Sequence, residues 1–536
     1  TADITTNVGT AADRVTVSAT AATTSGNADA NALLTSNIGI SETDIGQIQV
    51  GTNGTIAAGA FNTTNASATT VTGEADADAN ITNASGIDMA TGASLITGQA
   101  ATVSGTANTS STVVASATTG AATADSVLTE TSGAEIGIVS AGTSATITGT
   151  DTATLSASAT SVDAAATAIG TNTNADAVEF TTFTSGTSAA VTGTGTSTVT
   201  TAATSTDANA TATSTTNDAA GVTSGGAFIA GTTAALAGSS AVGQSSTATT
   251  TGDTTADVAT ANTVVGGNFG LDLDTGDTTI GTAGTISGGV TGTNSATATG
   301  TTADAAAAVT ITEAAGIDLT GRTLSTGTSA AITASALGTN TATATSVGAD
   351  ATSTIGQGIG NALGDDTGTI TAGTSAAIGA TATFTNTATA TTTAGNSVGG
   401  GADATVDNDI VAAVDVTTIT SGTTLAMAAA ASSTQTANAS NVGTSGTSTK
   451  NDATATVAGS DSISGIDDTT ISVGSNTTAF SATANLAGSA TSNTTFGDAD
   501  STAGTASTVS GLATTGTNTL TIGQDAVGGI GLGATT

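Results

Sequence analysis

The chain has 536 residues, of which 40 are Asp or Glu and only 3 are Lys or Arg, so its formal net charge is −37. It contains no His, Cys, Pro, Trp or Tyr. Without these residues it lacks the usual general bases, nucleophiles and stacking groups, and its acidity opposes binding to phosphates or nucleic acids. We therefore expect a protein that is not an enzyme, has no cofactor and has no nucleic-acid partner.

Two further classes are disfavoured. Acidic chains that are poor in aromatic residues are often disordered, but only 8% of this chain is charged and Pro, common in disordered linkers, is absent. No run of 18 or more apolar residues occurs, so no membrane span is expected.

A glycine with similar neighbours recurs along the whole chain. Successive copies are 42 to 52 residues apart, with a mean spacing of about 47, which is typical of a solenoid repeat. We therefore predict that residues 1–536 form one continuous repeat structure. The anchors are Gly9, Gly51, Gly98, Gly142, Gly186, Gly231, Gly281, Gly327, Gly373, Gly422, Gly474 and Gly523.

Large apolar residues are scarce, yet they recur at two fixed offsets from these anchors. Three residues before the glycine lie Ile48, Leu95, Val139, Phe183, Phe228, Leu324, Ile370, Ile419, Ile471 and Leu520. Five residues after it lie Ile56, Val103, Ile147, Val191, Leu236, Ile286, Ile332, Ile378 and Met427. We interpret both sets as structural ladders, in which each side chain stacks on its counterpart in the next repeat.

A second pattern follows each anchor by about fourteen residues, where polar residues alternate with Ala. This period of two, together with abundant Thr, predicts a strand with Ala buried and Ser, Thr or Asn outside. The best local helix candidate is the short run Ala305–Ala308. The clearest copies of the alternation are 65–69, 156–160, 295–299, 341–345, 387–391 and 436–440.

These observations predict an all-β fold, a rod-like β-solenoid (β-helix) of about twelve repeats of ~47 residues. We expect one coil per repeat with three or four short strands, giving a rod of roughly 55 Å. A positive φ at each anchor glycine would turn the chain between strands. Handedness and two coils per repeat stay open, and tandem β-sandwiches are a weaker alternative because such domains usually need about 100 residues.

The repetitive Thr, Ala, Gly, Ser and Asn composition, with little Lys and no Cys, resembles bacterial S-layer proteins and giant cell-surface repeat proteins, including large adhesins. This resemblance covers the whole chain and implies an extracellular location at a cell surface. Many of those proteins carry calcium-binding GGxGxD arrays. This chain has none, so calcium-driven folding does not carry over.

The predicted function is structural. Open strand edges and exposed polar rows favour association of the chain with itself, head to tail or laterally, into a filament, sheath or surface layer. Two alternatives stay open: the stalk of a large surface adhesin, and an ice-binding solenoid that uses Thr-x-Thr rows.

Candidate ligand sites are few. Asp272, Asp274 and Asp277 have a spacing compatible with a calcium loop, although an exposed acidic turn is the simpler interpretation. N-x-S/T sequons, including those at Asn62 and Asn80, make glycans a further candidate partner.

Overall fold

The computed structural model describes residues 2–6, 14–42, 46–251, 257–364, 367–393, 400–442, 452–458, 462–467, 469–495, 498–503, 508–512, 519–522 and 530–535. Within these ranges the chain forms β-strands and turns, without helices. All strand pairings are parallel, and they build two sheets. The predicted all-β solenoid is confirmed, whereas the Ala305–Ala308 helix candidate is wrong because those residues belong to a strand.

Sheet A contains thirteen strands. Those from β5 to β31 are 18 to 20 residues long. The bounds are β1 Ala2–Thr6, β2 Val15–Ser25, β5 Asn53–Thr72, β7 Ala100–Ala117, β9 Ser144–Ser161, β11 Ser188–Ser205, β14 Thr233–Thr250, β18 Ala283–Thr301, β21 Ser329–Val347, β24 Ser375–Thr393, β27 Thr424–Val442, β31 Asn476–Thr494 and β35 Ile530–Thr535.

Sheet B contains the remaining strands, which are long in the first coils and divided into shorter pieces later. The bounds are β3 Ala28–Glu42, β4 Gln47–Val50, β6 Ala75–Thr97, β8 Ala122–Ala141, β10 Ala166–Ser185, β12 Ala210–Ser224, β13 Phe228–Ala230, β15 Val258–Val265, β16 Phe269–Asp272, β17 Thr278–Ile280, β19 Asp304–Asp318, β20 Thr323–Thr326, β22 Ala351–Leu363, β23 Thr369–Ala372, β25 Ala402–Asp415, β26 Thr418–Ser421, β28 Ala453–Val457, β29 Ser462–Asp467, β30 Thr470–Val473, β32 Ala499–Ala503, β33 Thr508–Leu512 and β34 Thr519–Ile522.

The register shows one coil per repeat. Ile332 in sheet A pairs with Ile378, and Leu324 in sheet B pairs with Ile370, so each partner lies 46 residues further along the chain. The expected coil of three or four short strands is wrong for sheet A, where one long strand spans each coil. The alternating Thr and Ala segments explain why these strands are long. A strand can continue as long as every second side chain, here Ala, fits into the interior.

The interior changes character across each coil. Beside the anchor turn, Ile, Leu, Val, Met and Phe side chains from both sheets form one continuous cluster. At the opposite side the interior is made mostly of Ala, as in the pair Ala342 and Ala344. Between them lie buried amides and hydroxyls such as Asn340 and Ser433. The core is therefore wide beside the anchors and narrow at the alanine wall.

The anchor glycines that the structure describes do not have the positive φ that we expected. Among the described residues, positive φ at glycine occurs at Gly26, Gly73, Gly321, Gly348 and Gly364. Glycine is required at the anchors because the backbones of successive coils stack closely there. A Cβ placed on any described anchor from Gly98 to Gly474 would lie 1.9 to 2.1 Å from the carbonyl oxygen of the preceding anchor.

At a second column of glycines, the backbone of sheet A approaches the backbone of sheet B closely. A Cβ on Gly149 of sheet A would lie 1.9 Å from the carbonyl oxygen of Ala177, and one on Gly193 would lie 1.7 Å from that of Gly221. Sheet B therefore bends inward until its backbone touches sheet A. Such an inward bend leaves the opposite side of sheet B concave.

Candidate functional site: an uncharged sheet face and an acidic furrow

The structure places the predicted ladder residues in register. Those that precede the anchors lie in sheet B, where Ile48 pairs with Leu95 and the column continues to Leu520. Those that follow the anchors lie in sheet A, from Ile56 to Met427. Thr278 occupies the one internal position of the first column that lacks a large apolar residue, between Phe228 and Leu324. Gly9 and Gly523 lie outside the described residues.

Sequence reasoning missed three members of the sheet A ladder: Ile4, which pairs with Ile56, Phe480, and Ile530, which pairs with Phe480. Phe480 pairs with Met427 and is buried in the same cluster. It follows Gly474 by six residues, because the register shifts by one residue after Leu425. A search that allowed for one inserted residue would have found it.

The strands of sheet A are almost free of charge. From β5 to β31 they contain one ionisable residue, Asp151, although the chain as a whole carries 40 acidic residues. Asp3 lies on the short first strand of this sheet, β1, and sheet B and the turns carry the rest of the described acids. Two of these, Asp76 and Asp403, are exposed on strands of sheet B. The outer surface of sheet A is consequently a face of Thr, Ser, Ala and Gly, with exposed apolar side chains such as Leu337 and Val114.

Asp151 does not charge this face, because its side chain points into the interior. Thr131 Oγ1 of sheet B donates a hydrogen bond to Asp151 Oδ2 at 2.8 Å. Complete burial raises the pKa of Asp151 to about 8, against the hydrogen bonds from Thr131 and Thr152. The carboxyl group is therefore neutral under mildly acidic conditions, and it links the two sheets.

Threonines form partial rows on the uncharged face. Thr247, Thr297, Thr343 and Thr389 occupy one column in successive coils. Earlier coils place Ala202 and Val114 in the same column, and a later coil places Asn438 there. The predicted Thr-x-Thr array therefore extends over part of the solenoid. Toward the anchor end of the same strands, small residues leave a shallow depression of about 680 Å³, lined partly by Ala331, Thr333, Gly379 and Ala428.

Only two of the three candidate calcium ligands, Asp272 and Asp274, lie beside each other. Asp272 Oδ1 accepts a hydrogen bond from the Asp274 backbone N–H at 3.2 Å, whereas Asp277 Oδ1 accepts one from the Thr323 backbone N–H at 2.9 Å. Arg322 Nε donates to the Asp274 carbonyl oxygen at 2.6 Å. Throughout the part of the chain that the structure describes, no three acidic side chains are grouped closely enough to hold a metal ion.

The inward bend of sheet B creates a furrow on its outer side, which we call the outer furrow. Its floor is a register column, and each flank is another column rich in carboxylates. Ala220, Phe269 and Ala315 form a small cluster separate from the main core. The floor consists of Ser132, Asp176, Ala220, Phe269 and Ala315, and the flanks include Glu130, Asn174 and Asp218 on one side and Asp88, Glu135, Glu179, Thr223, Asp272 and Asp318 on the other.

Burial and mutual repulsion make the furrow carboxylates weak acids. The pKa of Asp176 is raised well above its usual value by burial first, and then by Asp218, Glu179 and Asp272. Burial, followed by Asp88 and Glu179, raises the pKa of Glu135 to about 8. Burial also raises the pKa of Asp272 to about 8. These groups need a proton or a cation to compensate their charge.

The sequons at Asn62 and Asn80 differ in solvent exposure. Asn62 is fully buried and its amide nitrogen donates a hydrogen bond to Thr109 Oγ1, so this nitrogen is inaccessible for glycosylation in the folded chain, whereas Asn80 is exposed. The described residues include no helix long and apolar enough to cross a membrane. No protein-family model, curated protein or solved structure matches the chain.

Proposed function

We propose that this protein is a non-enzymatic, extracellular structural protein that assembles with copies of itself through the outer face of sheet A. The observation that carries the proposal is the segregation of charge. The strands of one sheet, β5 to β31, contain a single, buried ionisable residue in a chain of net charge −37.

Segregated charge favours pairing of sheet A with sheet A. When two uncharged faces meet, the acids on sheet B and the turns stay on the outside of the pair, where water and counterions screen them. Contact through sheet B would instead bring like charges together. Rows of small side chains also let two sheets interdigitate at about 10 Å, as stacked sheets do.

The available area is sufficient for a stable contact. Strands of 18 residues extend for about 60 Å, and ten such strands span about 48 Å, giving a face of roughly 2,900 Å². Stable protein interfaces use about 800 Å² per partner. A staggered contact, in which each copy overlaps two others, still exceeds that size and would extend into a filament or layer.

Charge placed on sheet A tests this proposal. Thr343 and Thr389 lie on the outer face of sheet A, and Thr352 and Thr354 are exposed on sheet B. The double variant Thr343→Glu/Thr389→Glu should remain monomeric in sedimentation velocity and negative-stain microscopy. The control Thr352→Glu/Thr354→Glu, with the same net charge, should assemble like the wild type. Equal assembly of both variants, or a wild type that stays monomeric, would reject the proposal.

Ice binding is the second candidate function, favoured by the Thr column from Thr247 to Thr389. With strands about 4.8 Å apart and alternate residues about 6.7 Å apart, these hydroxyls form a regular two-dimensional array with those of the adjacent column, Thr249, Thr299, Thr345 and Thr391. The interruptions at Ala202 and Asn438 rank this function below assembly. Thermal hysteresis of a monomeric preparation, lost in Thr343→Glu, would favour ice binding instead.

A further inference from the structure

The outer furrow contains buried oxygen atoms for which the fold provides no partner. Five side-chain atoms in three adjacent strands, β8, β10 and β12, are inaccessible to water and make no hydrogen bond of good geometry, although the Thr223 hydroxyl lies close enough to Asp176 to stabilise its carboxylate. The five atoms are Ser132 Oγ, Asn174 Oδ1, Asp176 Oδ1, Asp218 Oδ1 and Thr223 Oγ1. Buried polar atoms without a partner are rare in proteins and destabilise the fold, so their concentration at one place indicates a missing ligand.

The register brings these residues together. Asn174 pairs directly with Asp218, and Asp176 pairs with Ser132. Thr223 pairs with Glu179, the neighbour of Asp176 along the furrow. Asp176 is only 4% exposed, and the residues around it in the chain, Ala175 and Val178, pack in the core.

One end of this group is closed by an apolar side chain. A Cβ on Gly267 would lie 2.6 Å from the Phe269 ring and 3.2 Å from Asp218 Oδ1, so the ring and the carboxylate flank the same glycine. The two arginines in the described part of the chain bond elsewhere. Arg14 donates to Thr63, and Arg322 donates to the Asp274 carbonyl. No guanidinium group therefore compensates Asp176.

We propose that Asp176 and Asp218, with the Asn174, Thr223 and Ser132 oxygens, bind one hard divalent cation, for which Ca²⁺ is the best match. All five residues offer oxygen, the donor atom that Ca²⁺ prefers, and the mixture of carboxylate, amide and hydroxyl groups suits its flexible coordination of six to eight ligands. Two carboxylates balance its charge. The site lies beside the Asp272–Asp277 turn, since its ligand Thr223 pairs with Asp272, and it does not depend on self-assembly.

A bound cation would cross-link three successive coils. It would compete with protons for the carboxylate oxygens of Asp176 and Asp218, since a carboxyl group must be deprotonated to bind a metal ion. Binding should therefore strengthen as the pH rises. The solenoid should also unfold at a higher temperature with Ca²⁺ present, because a ligand that binds only the folded state stabilises it.

Direct europium luminescence tests the site. Eu³⁺ replaces Ca²⁺ at oxygen sites, and the chain has no Trp or Tyr to sensitise it, so the ion is excited directly. Decay rates in H₂O and D₂O then report the water left on the ion. The wild type should hold one Eu³⁺ that has lost most of its water, resists high salt and is displaced by Ca²⁺.

Two variants distinguish cation binding at this site from a general attraction of cations to the acidic surface. Asp176→Asn and Asp218→Asn should each lower the affinity for Ca²⁺ by roughly tenfold or more, because affinity follows the number of charged ligands. Asp407→Asn removes an exposed acid and should leave the site unchanged. Fully hydrated Eu³⁺ that high salt releases from the wild type would overturn the proposal, as would equal binding by folded Asp176→Asn and Asp407→Asn. If neither site variant folds, the hydration and salt resistance of wild-type Eu³⁺ decide the question.

Discussion

Asn340 donates a hydrogen bond from Nδ2 to Oδ1 of Asn386, its partner one coil further along, at 2.7 Å. The chain of amides continues in both directions. Asn294 Nδ2 donates to Asn340 Oδ1 at 2.9 Å, and Asn386 Nδ2 donates to Asn408 Oδ1 in sheet B at 2.6 Å. All four side chains are buried. A slip of one residue would break every bond in this ladder, so the ladder helps to set the register of the strands.

Removal of one amide from this ladder should destabilise the solenoid. Asn340→Ala leaves the Asn294 donor and the Asn386 acceptor buried without their partner, which typically costs about 1–3 kcal/mol for each unsatisfied group. Thr339→Ala changes the exposed neighbour on the same strand and should have little effect. The free energy of unfolding can be followed by circular dichroism in guanidinium. Equal stability of the two variants would show that the amide ladder contributes nothing.

The sequence predicted the solenoid and its apolar ladders because large side chains are scarce, so their recurrence at a fixed offset carries information. It could not predict the amide ladder. Asn340 belongs to a chain rich in Asn, Ser and Thr, and only the distance between the sheets decides which of these residues lie inside. The anchor glycines were located correctly, but for the wrong physical reason, since contact between coils is a property of the stacked structure.

The two candidate functional surfaces also differ in how far the sequence alone predicts them. The charge-free face follows from strand positions that the sequence alternation already indicates, although the partition of acids between sheets needed the topology. The outer furrow needed the three-dimensional structure. Asp176 and Asp218 lie 42 residues apart in the sequence and share a furrow only because sheet B bends where Ala177 and Gly221 approach sheet A.

A charge in the sheet A ladder should prevent folding. Ile378 is 3% exposed and pairs with Ile332 and Met427, so Ile378→Asp would place a carboxylate among apolar side chains. Isolated buried charges destabilise proteins by several kcal/mol. The matched control is Ala377→Asp, because residue 377 is exposed. Circular dichroism and limited proteolysis should show an unfolded Ile378→Asp and a folded control. An Ile378→Asp variant that remains rich in β-structure would show that the ladder register is wrong.

An alanine at an anchor glycine should destabilise the protein far more than an alanine on the outer face of sheet A. In Gly327→Ala the new Cβ would meet the Gly281 carbonyl oxygen at 2.0 Å, whereas a Cβ on Gly379 has nothing within 4 Å. Overpacking of this kind costs about 1–3 kcal/mol. Gly379→Ala should be neutral, or stabilising by up to about 1 kcal/mol, through its effect on the unfolded chain. The midpoints of guanidinium unfolding give the comparison, and similar midpoints would contradict the close stacking of coils.

Stability should fall as the pH rises from about 4 to about 8. Burial raises the pKa of Asp151 to about 8 from an ordinary value of 3.8, so the folded state binds this proton more tightly than the unfolded state does. Stability is then greatest below the unfolded pKa, decreases up to the folded pKa and is constant above it. Glu135, with its pKa raised to about 8, contributes in the same direction.

Asp151→Asn tests the sign of this effect. The amide cannot ionise, so the variant should lose less stability than the wild type between pH 4 and pH 8, while Asp407→Asn, at an exposed site, should keep the wild-type slope. Unfolding midpoints are measured across this range in a chelator, so that bound cations do not contribute. If this explanation is correct, the stability of Asp151→Asn relative to that of the wild type increases as the pH rises from 4 to 8. A difference in stability that stays constant from pH 4 to pH 8 would mean that Asp151 ionises no differently in the folded and unfolded chains.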